Sequence, residues 1–557
     1  MDRLFQTNQI REKHSLDGMW DLNIEEKGHF RVPVPGCWEQ IPALSDFRGR
    51  GVYTRKINTT KDGHLRVTFK GVSHTADVYF DGKKIAHHYN AFTPFSAIVR
   101  RVNAGEHELR VEVDNTFGEH SALHIPNDYY TYGGITRPVT MEYVPDCFIE
   151  YVHFTPRYFD GNWSAEIKVC ISNVSEHDFC GQIVSFLGQT EITMDVNVPA
   201  ESKAVVSAEA NFPAVLAWSE KAPNLYLLDT RLYEHDSVID DLIERVGFRT
   251  VRVEGKKIYL NDEEIYLKGF NRHEDHPMFG SALPLQAMAQ DMELMLDTGA
   301  NAVRTSHYPN DERFLDMCDE RGVLVWEENH ARGLSLEKMQ HPLFDIQCED
   351  CIQEMILNHY NHPSIVIWGI LNECASNTLE GREKYERQLE QIRRLDASRP
   401  RSFASNQHFT DICLELPDIL SVNLYPLWYD DTEPTELLDK LKTWMEEKAG
   451  AEKPFLITEF GAGAVYGYRS DTLAKWTEER QALILDTVME KYMSREDLSG
   501  IFLWQFCDCR VTEEQWFMKR PKSINNKGVV DGYRRKKLGY ATVQMHYKKQ
   551  YSFKEND

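Results

Sequence analysis

From about residue 256 to the C-terminus, short apolar runs recur eight times, and amphipathic helical stretches separate them. The runs begin near Tyr266 (YLKGFNR), Ala300 (ANAVRTS), Val323 (VLVWEEN), Ile365 (IVIWGILNE), Arg401 (RSFASN), Ile419 (ILSVNLY), Pro454 (PFLITEF) and Gly500 (GIFLWQF). A continuously apolar strand is one buried on both faces, the condition of a parallel sheet covered by helices. Eight such units within about 300 residues match the size of a (β/α)8 TIM barrel. In that fold, side chains at the C-terminal ends of the strands face the active site, so the residues closing each run are the first place to look for chemistry.

A chain of 557 residues exceeds what one hydrophobic core supports, so further domains must precede the barrel. Up to about residue 250 the pattern is that of short strands alternating with period two. Leu65–Phe69, Ala76–Phe80 and Glu108–Val113 form one set, with Asp81-Gly82 as a hairpin signal. A second set covers Trp163–Ser172, Gly181–Leu187, Glu191–Val198, Lys203–Ala210 and Leu225–Tyr233, over the length of an immunoglobulin-like sandwich. The expected fold is therefore multidomain: a jelly-roll-like β-sandwich over 1–145, an immunoglobulin-like β-sandwich over 146–252 and a catalytic barrel over 253–557.

The charge of -24 repels polyanions, so nucleic acid is not an expected partner, and an anionic substrate requires a dedicated local cation. The charged N-terminus lacks the apolar stretch of a signal peptide, and no run approaches the length of a membrane span. A cytoplasmic protein is expected. Eleven cysteines, an odd number scattered along the chain, fit reduced core thiols. Cys348 and Cys351 form a CxxC without a second ligand pair, so neither a structural metal nor a cofactor is expected. A homo-oligomer is.

The ends of the apolar runs are polar or aromatic: Asn271-Arg272-His273-Glu274-Asp275, Arg304-Thr305-Ser306-His307-Tyr308, Asn372-Glu373, Asn423-Leu424-Tyr425, Thr458-Glu459-Phe460 and Trp504-Gln505. Glu373 and Glu459, closing runs four and seven, are the two carboxylates that glycoside hydrolysis needs. Their separation decides between a covalent intermediate with retention and direct inversion by water. His273, Asn372, Tyr425 and Trp504 are expected around the bound sugar.

These segments resemble glycoside hydrolase family 2 over essentially the whole chain. Two long signatures carry the likeness, Asn301-Ala302-Val303-Arg304-Thr305-Ser306-His307-Tyr308-Pro309 and the run from Asn361-His362-Pro363 to Gly369-Ile370-Leu371-Asn372-Glu373. The resemblance implies Glu373 as acid/base, Glu459 as nucleophile, and retention. Within the family, Gly269–Asp275 and Asn423–Tyr429 are most similar to β-glucuronidases, which brings in Tyr429. Asn525-Asn526-Lys527 resembles their Asn-x-Lys element, which holds the carboxylate of the sugar. A lysine and an amide bind a carboxylate by charge-assisted hydrogen bonds, and Lys527 would give a neutral hexose nothing to use.

The same resemblance implies that Asp128, in Asn127-Asp128-Tyr129-Tyr130, reaches the sugar hydroxyls from the first domain. The arginine expected four residues before the Asn-x-Lys element is absent, since Pro521 stands there and Arg520 is one position early. Arg332 stands where β-glucuronidases have small apolar residues, and either contacts an axial O4, as in galacturonate, or caps the barrel rim. Residues 334–353 form a shorter segment than the loop covering some β-glucuronidase sites, which suits saccharide-linked substrates. The expected activity is a retaining exo-β-hexuronidase for terminal β-D-glucuronides or β-D-galacturonides. The alternatives are a neutral-sugar hydrolase such as a β-galactosidase, and an inactive carbohydrate-binding protein.

Overall fold

The computed structural model describes residues 2–549; residues 550–557, which the sequence reading assigns to the barrel unit, lie outside the described residues. The first sandwich packs a six-stranded antiparallel sheet (Gly28–Val34, Gly18–Ile24, Arg50–Thr59, Gly105–Asp114, Thr75–Phe80, Lys83–Tyr89, in that order) on a four-stranded one. Alternation along Gly63–Phe69 puts Leu65, Val67 and Phe69 into the shared core, with Trp20, Leu22 and Val111 opposite. Asp81 and Gly82 join Thr75–Phe80 to Lys83–Tyr89 with positive φ at both positions (47° and 77°), the hairpin turn that Asp-Gly favours.

The second sandwich has a three-stranded sheet (Cys147–Phe159, Asn162–Asn173, Lys203–Asn211) and a four-stranded sheet (Thr190–Val198, Phe179–Leu187, Tyr226–Glu234, Ser237–Val246). Two of these seven strands, Cys147–Phe159 and Ser237–Val246, are additions to those read from the sequence.

The barrel strands are β1 (Leu267–Asn271), β2 (Ala302–Thr305), β3 (Leu324–Glu328), β4 (Ile365–Ile370), β5 (Arg401–Phe403), β6 (Leu420–Asn423), β7 (Phe455–Phe460) and β8 (Gly500–Leu503). All eight runs read from the sequence are strands, and they pair in parallel in the order β5-β4-β3-β2-β1-β8-β7-β6. The ring closes between β5 and β6, where Ser405 N donates to Ser421 O (3.1 Å) and Asn423 N donates to Ser405 O (2.9 Å).

One helix of the alternating pattern is missing. Among the described residues no α-helix joins β5 to β6, and that connection is turns and loop. It brings Asn406 and His408 to the mouth of the barrel instead. Among the described residues, no helix is long and apolar enough to cross a membrane. The eleven cysteines are all unpaired; ten are buried and Cys180 is exposed.

The first sandwich is tied to the barrel by buried charge. Arg137 donates to Glu274 Oε2 and to the Pro309 carbonyl (both 2.7 Å), and Arg3 spans Glu312 and Asp316. The loop of residues 115–133 is tied to the barrel separately, by Thr512 N donating to Asn127 O (3.2 Å) and by the Tyr129 hydroxyl 2.9 Å from His330 Nε2, and it carries Asn127, Asp128 and Tyr129 over the strand ends.

Candidate active site

Glu459 lies on β7 and Glu373 three residues beyond β4; both line one cleft of about 420 Å³ at the C-terminal mouth of the barrel. The chain around Glu373 is strained, since Leu371 (φ 42°) and Glu373 (φ 53°) both adopt left-handed backbone. Each such non-glycine residue costs about 1–2 kcal/mol, a strain that clusters at working sites.

The two carboxylates have different partners. Glu459 Oε1 accepts from Arg304 Nη1 (3.0 Å) and Oε2 from the Tyr425 hydroxyl (2.7 Å). Arg304 is fully buried and spends its other four N–H groups on Glu328 (2.8 and 2.9 Å), Asn271 Oδ1 (2.8 Å) and Asn372 Oδ1 (2.8 Å). Its guanidinium therefore cannot turn away from Glu459. Glu373 Oε1 accepts from Asn423 Nδ2 (2.9 Å), and the longer contact from Arg332 Nη2 reaches Oε2 (3.5 Å). Burial, reinforced by the neighbouring Glu373 carboxylate, pushes the Glu459 carboxyl up to about 7, against the pull of Arg304 and Tyr425.

At the other side of the cleft stands Lys527, 2% exposed. Its ammonium donates to the Tyr429 hydroxyl (2.5 Å) and lies over the rings of Tyr425 and Tyr429 (4.3 and 4.6 Å). Among the described residues, no carboxylate pairs with it within 4.0 Å. Burial holds its pKa below the ordinary lysine value, and Arg520 adds to the effect.

Arg520, one position earlier along the chain than the expected arginine, lines the cleft and pairs with Asp128 through Nε (3.0 Å) and Nη2. Between Arg520 and Asn525 the chain takes two consecutive left-handed residues, Lys522 (φ 62°) and Ser523 (φ 54°), in the short 3-10 turn at Pro521–Ser523.

Asp128 is held by Arg520 and by Asn525 Nδ2 (3.0 Å). Of the residues expected from sequence, Asp128, Arg332, Glu373, Tyr425, Tyr429, Glu459, Trp504 and Lys527 line the cleft together. Three others stand one contact behind it. Asn525 supports Asp128, Asn372 supports Arg304, and His273 packs edge-on against Trp504 at 5.3 Å. His307, which the sequence reading gave no role, stacks on Trp504 (5.0 Å) and lies 2.8 Å from Glu328 Oε1. Burial holds His273 down at about 3 and His307 well below the usual histidine range, so both rings are neutral. Arg332 bridges the sandwich and Glu373: Nη1 donates to Asn127 Oδ1 (2.7 Å), Nη2 faces Glu373, and the buried Nε has no partner among the described residues.

Sequence reading gave no role to Arg304, Asn423, Asn406, His408 or Trp516, the last four of which also line the cleft. Arg304 and Asn423 were visible as polar residues ending β2 and β6; the others lie in loops with no periodic signal. Asp316, Asp319 and His362 also converge, but Arg3 and Arg245 already occupy Asp316, and His362 Nδ1 lies 2.5 Å from Asp319.

Family models match three consecutive segments: a glycosyl hydrolase 2 galactose-binding domain-like model over 48–143, a glycosyl hydrolases family 2 model over 147–249, and the TIM barrel domain of the glycosyl hydrolases family 2 over 251–551. The chain is 48% identical to a GH2 beta-galacturonidase from Eisenbergiella tayi, solved bound to galacturonate; the match covers 98% of this chain and 99% of that one, with a TM-score of 0.96. A beta-D-glucuronidase structure from Dictyoglomus thermophilum is 27% identical over 100% of both chains, with a TM-score of 0.86. A beta-glucuronidase from Chlorocebus aethiops is 26% identical over 97% of this chain and 92% of its own length.

Proposed function

The chain belongs to glycoside hydrolase family 2, and from that premise we propose that it is a retaining exo-β-hexuronidase whose preferred sugar is β-D-galacturonic acid. The observation that carries the hexuronide reading is Lys527, a buried ammonium that among the described residues meets a phenol and ring faces and no carboxylate within 4.0 Å. Leaving a buried charge unpaired is costly, and an incoming carboxylate removes that cost. A neutral hexose does not.

In this reading Glu459 attacks the anomeric carbon as the bond to the leaving oxygen breaks, and Glu373 gives that oxygen its proton. The product is a glycosyl ester on Glu459. Glu373, now ionised, takes a proton from water, which attacks the same carbon and releases the sugar with its configuration retained. Glu459 attacks as the carboxylate, and burial together with the neighbouring Glu373 raises its pKa to about 7. On a dinitrophenyl hexuronide, whose leaving group needs no proton, kcat/KM is therefore expected to rise as pH rises through about 7. Glu373→Gln removes the neighbouring negative charge and is expected to move that rise to lower pH. A rise that stays at the same pH in that variant contradicts the pairing of the two carboxylates.

Arg332 supports galacturonate over glucuronate, together with the likeness to the Eisenbergiella tayi enzyme. Its guanidinium lines the cleft beside Glu373 and Asn127, where its charge is offered to a hydroxyl on one face of the sugar. Nitrophenyl β-D-galacturonide is expected to react roughly tenfold or more faster, in kcat/KM, than the glucuronide, the discrimination that one charged hydrogen bond supports. Arg332→Ala is expected to bring that ratio towards unity. A wild-type preference for the glucuronide overturns the galacturonate reading.

A further inference from the structure

Leu371 is the residue at which the chain leaves β4 on its way to Glu373, and among the described residues its backbone polar groups are held by side chains. Its N–H donates to Asn329 Oδ1 (3.1 Å), and its carbonyl accepts from the Tyr385 hydroxyl (2.9 Å). Asn329 is fixed in turn, since its Nδ2 donates to Gln388 Oε1 (3.2 Å) and its own N–H to the Gly369 carbonyl (3.2 Å). Tyr385 and Gln388 share one face of the helix Leu379–Leu395, and all four side chains are buried. Below the kink, Gly333 N donates to Asn372 O (2.8 Å) and Glu373 N to Ala404 O (2.9 Å).

A strained loop relaxes unless its surroundings over-determine it. Here two side chains hold the backbone of Leu371, and neither of them lines the cleft. We propose that Asn329 and Tyr385 are positioning residues that clamp the left-handed Leu371–Glu373 turn and thereby aim Glu373 at the leaving-group oxygen. The proposal rests on the acid/base reading of Glu373. Acid catalysis requires hydrogen-bond reach to the oxygen being protonated, so a small relaxation of this turn impairs protonation while leaving sugar binding and Glu459 untouched.

Tyr385→Phe is the conservative test, because the ring keeps its edge-on packing against Phe403 (4.6 Å) and only the hydroxyl is lost. The readout is kcat/KM, which reports glycosylation alone, for an alkyl hexuronide and for a dinitrophenyl hexuronide whose leaving group needs no proton. Expected is a loss of about tenfold on the alkyl substrate and less than about twofold on the dinitrophenyl one, from the size of general-acid effects. In a Glu373→Gln background, Tyr385→Phe is expected to add nothing, because there is no acid left to aim. Equal losses on both substrates, or multiplicative losses in the double variant, identify a merely structural tyrosine and overturn the clamp. If Glu373→Gln alone fails to discriminate the two substrates, the acid/base reading falls, and this proposal with it. Asn329→Ser repeats the measurement at the other contact.

Discussion

Glu459→Gln is expected to lower kcat/KM on every hexuronide by roughly four orders of magnitude or more, the scale on which removing a covalent catalyst acts. An amide does not form the glycosyl ester, so good and poor leaving groups suffer alike. The fold should survive the change, because Arg304 keeps both bonds to Glu328 and those to Asn271 and Asn372. Glu373→Gln behaves differently: loss of acid assistance costs about 10²- to 10⁴-fold on alkyl leaving groups and far less on acidic phenols during glycosylation. Steady-state rates on a substrate series, with melting curves as a control for folding, check both. Near-normal turnover of an alkyl hexuronide by either variant removes the paired-carboxylate mechanism.

The second large effect is at the carboxylate end of the cleft. Lys527→Ala and Asn525→Ala are expected to lower kcat/KM on hexuronides by one to two orders of magnitude or more, since hydrogen bonds to charged groups are worth roughly 1.5–3 kcal/mol each. The two variants act by different routes. Lys527 loses a direct charge, whereas Asn525 loses the amide that holds Asp128 Oδ2 beside Arg520.

The decisive quantity is the ratio of kcat/KM for a nitrophenyl hexuronide to that for the matching neutral hexoside. Lys527→Ala should reduce it sharply, and an unchanged ratio makes a neutral-sugar hydrolase the better reading. Stability should move in the opposite direction. An unpaired buried ammonium is a cost in the free enzyme, so Lys527→Met, which refills the space, is expected to melt no lower than the wild type while losing hexuronidase activity. A marked drop in melting temperature would indicate that the lysine serves the fold.

The sequence by itself determined the barrel and its two candidate catalytic carboxylates. Each strand is a short apolar run, and a run of that kind is legible because its cause, burial on both faces, acts residue by residue along the chain. Glu373 and Glu459 could be singled out for the same reason, being polar residues that close such runs. Asp81-Gly82 was legible as a turn because its backbone preference is intrinsic to the dipeptide.

The tertiary structure decided what depends on residues far apart in sequence. The missing helix between β5 and β6 is one case, since the ring closes there through loop backbone. The place of Arg520 is another, because its partner in the cleft, Asp128, lies 392 positions away. The five-fold anchoring of Arg304 depends on three other strand ends and the turn at Asn372 meeting at one point. So does the isolation of Lys527 from any carboxylate, which is a property of everything that surrounds it. Local periodicity encodes elements, but pairing, strain and burial of charge arise only when barrel closure and sandwich docking bring distant residues within a few ångströms, where electrostatic and hydrogen-bond energies are large.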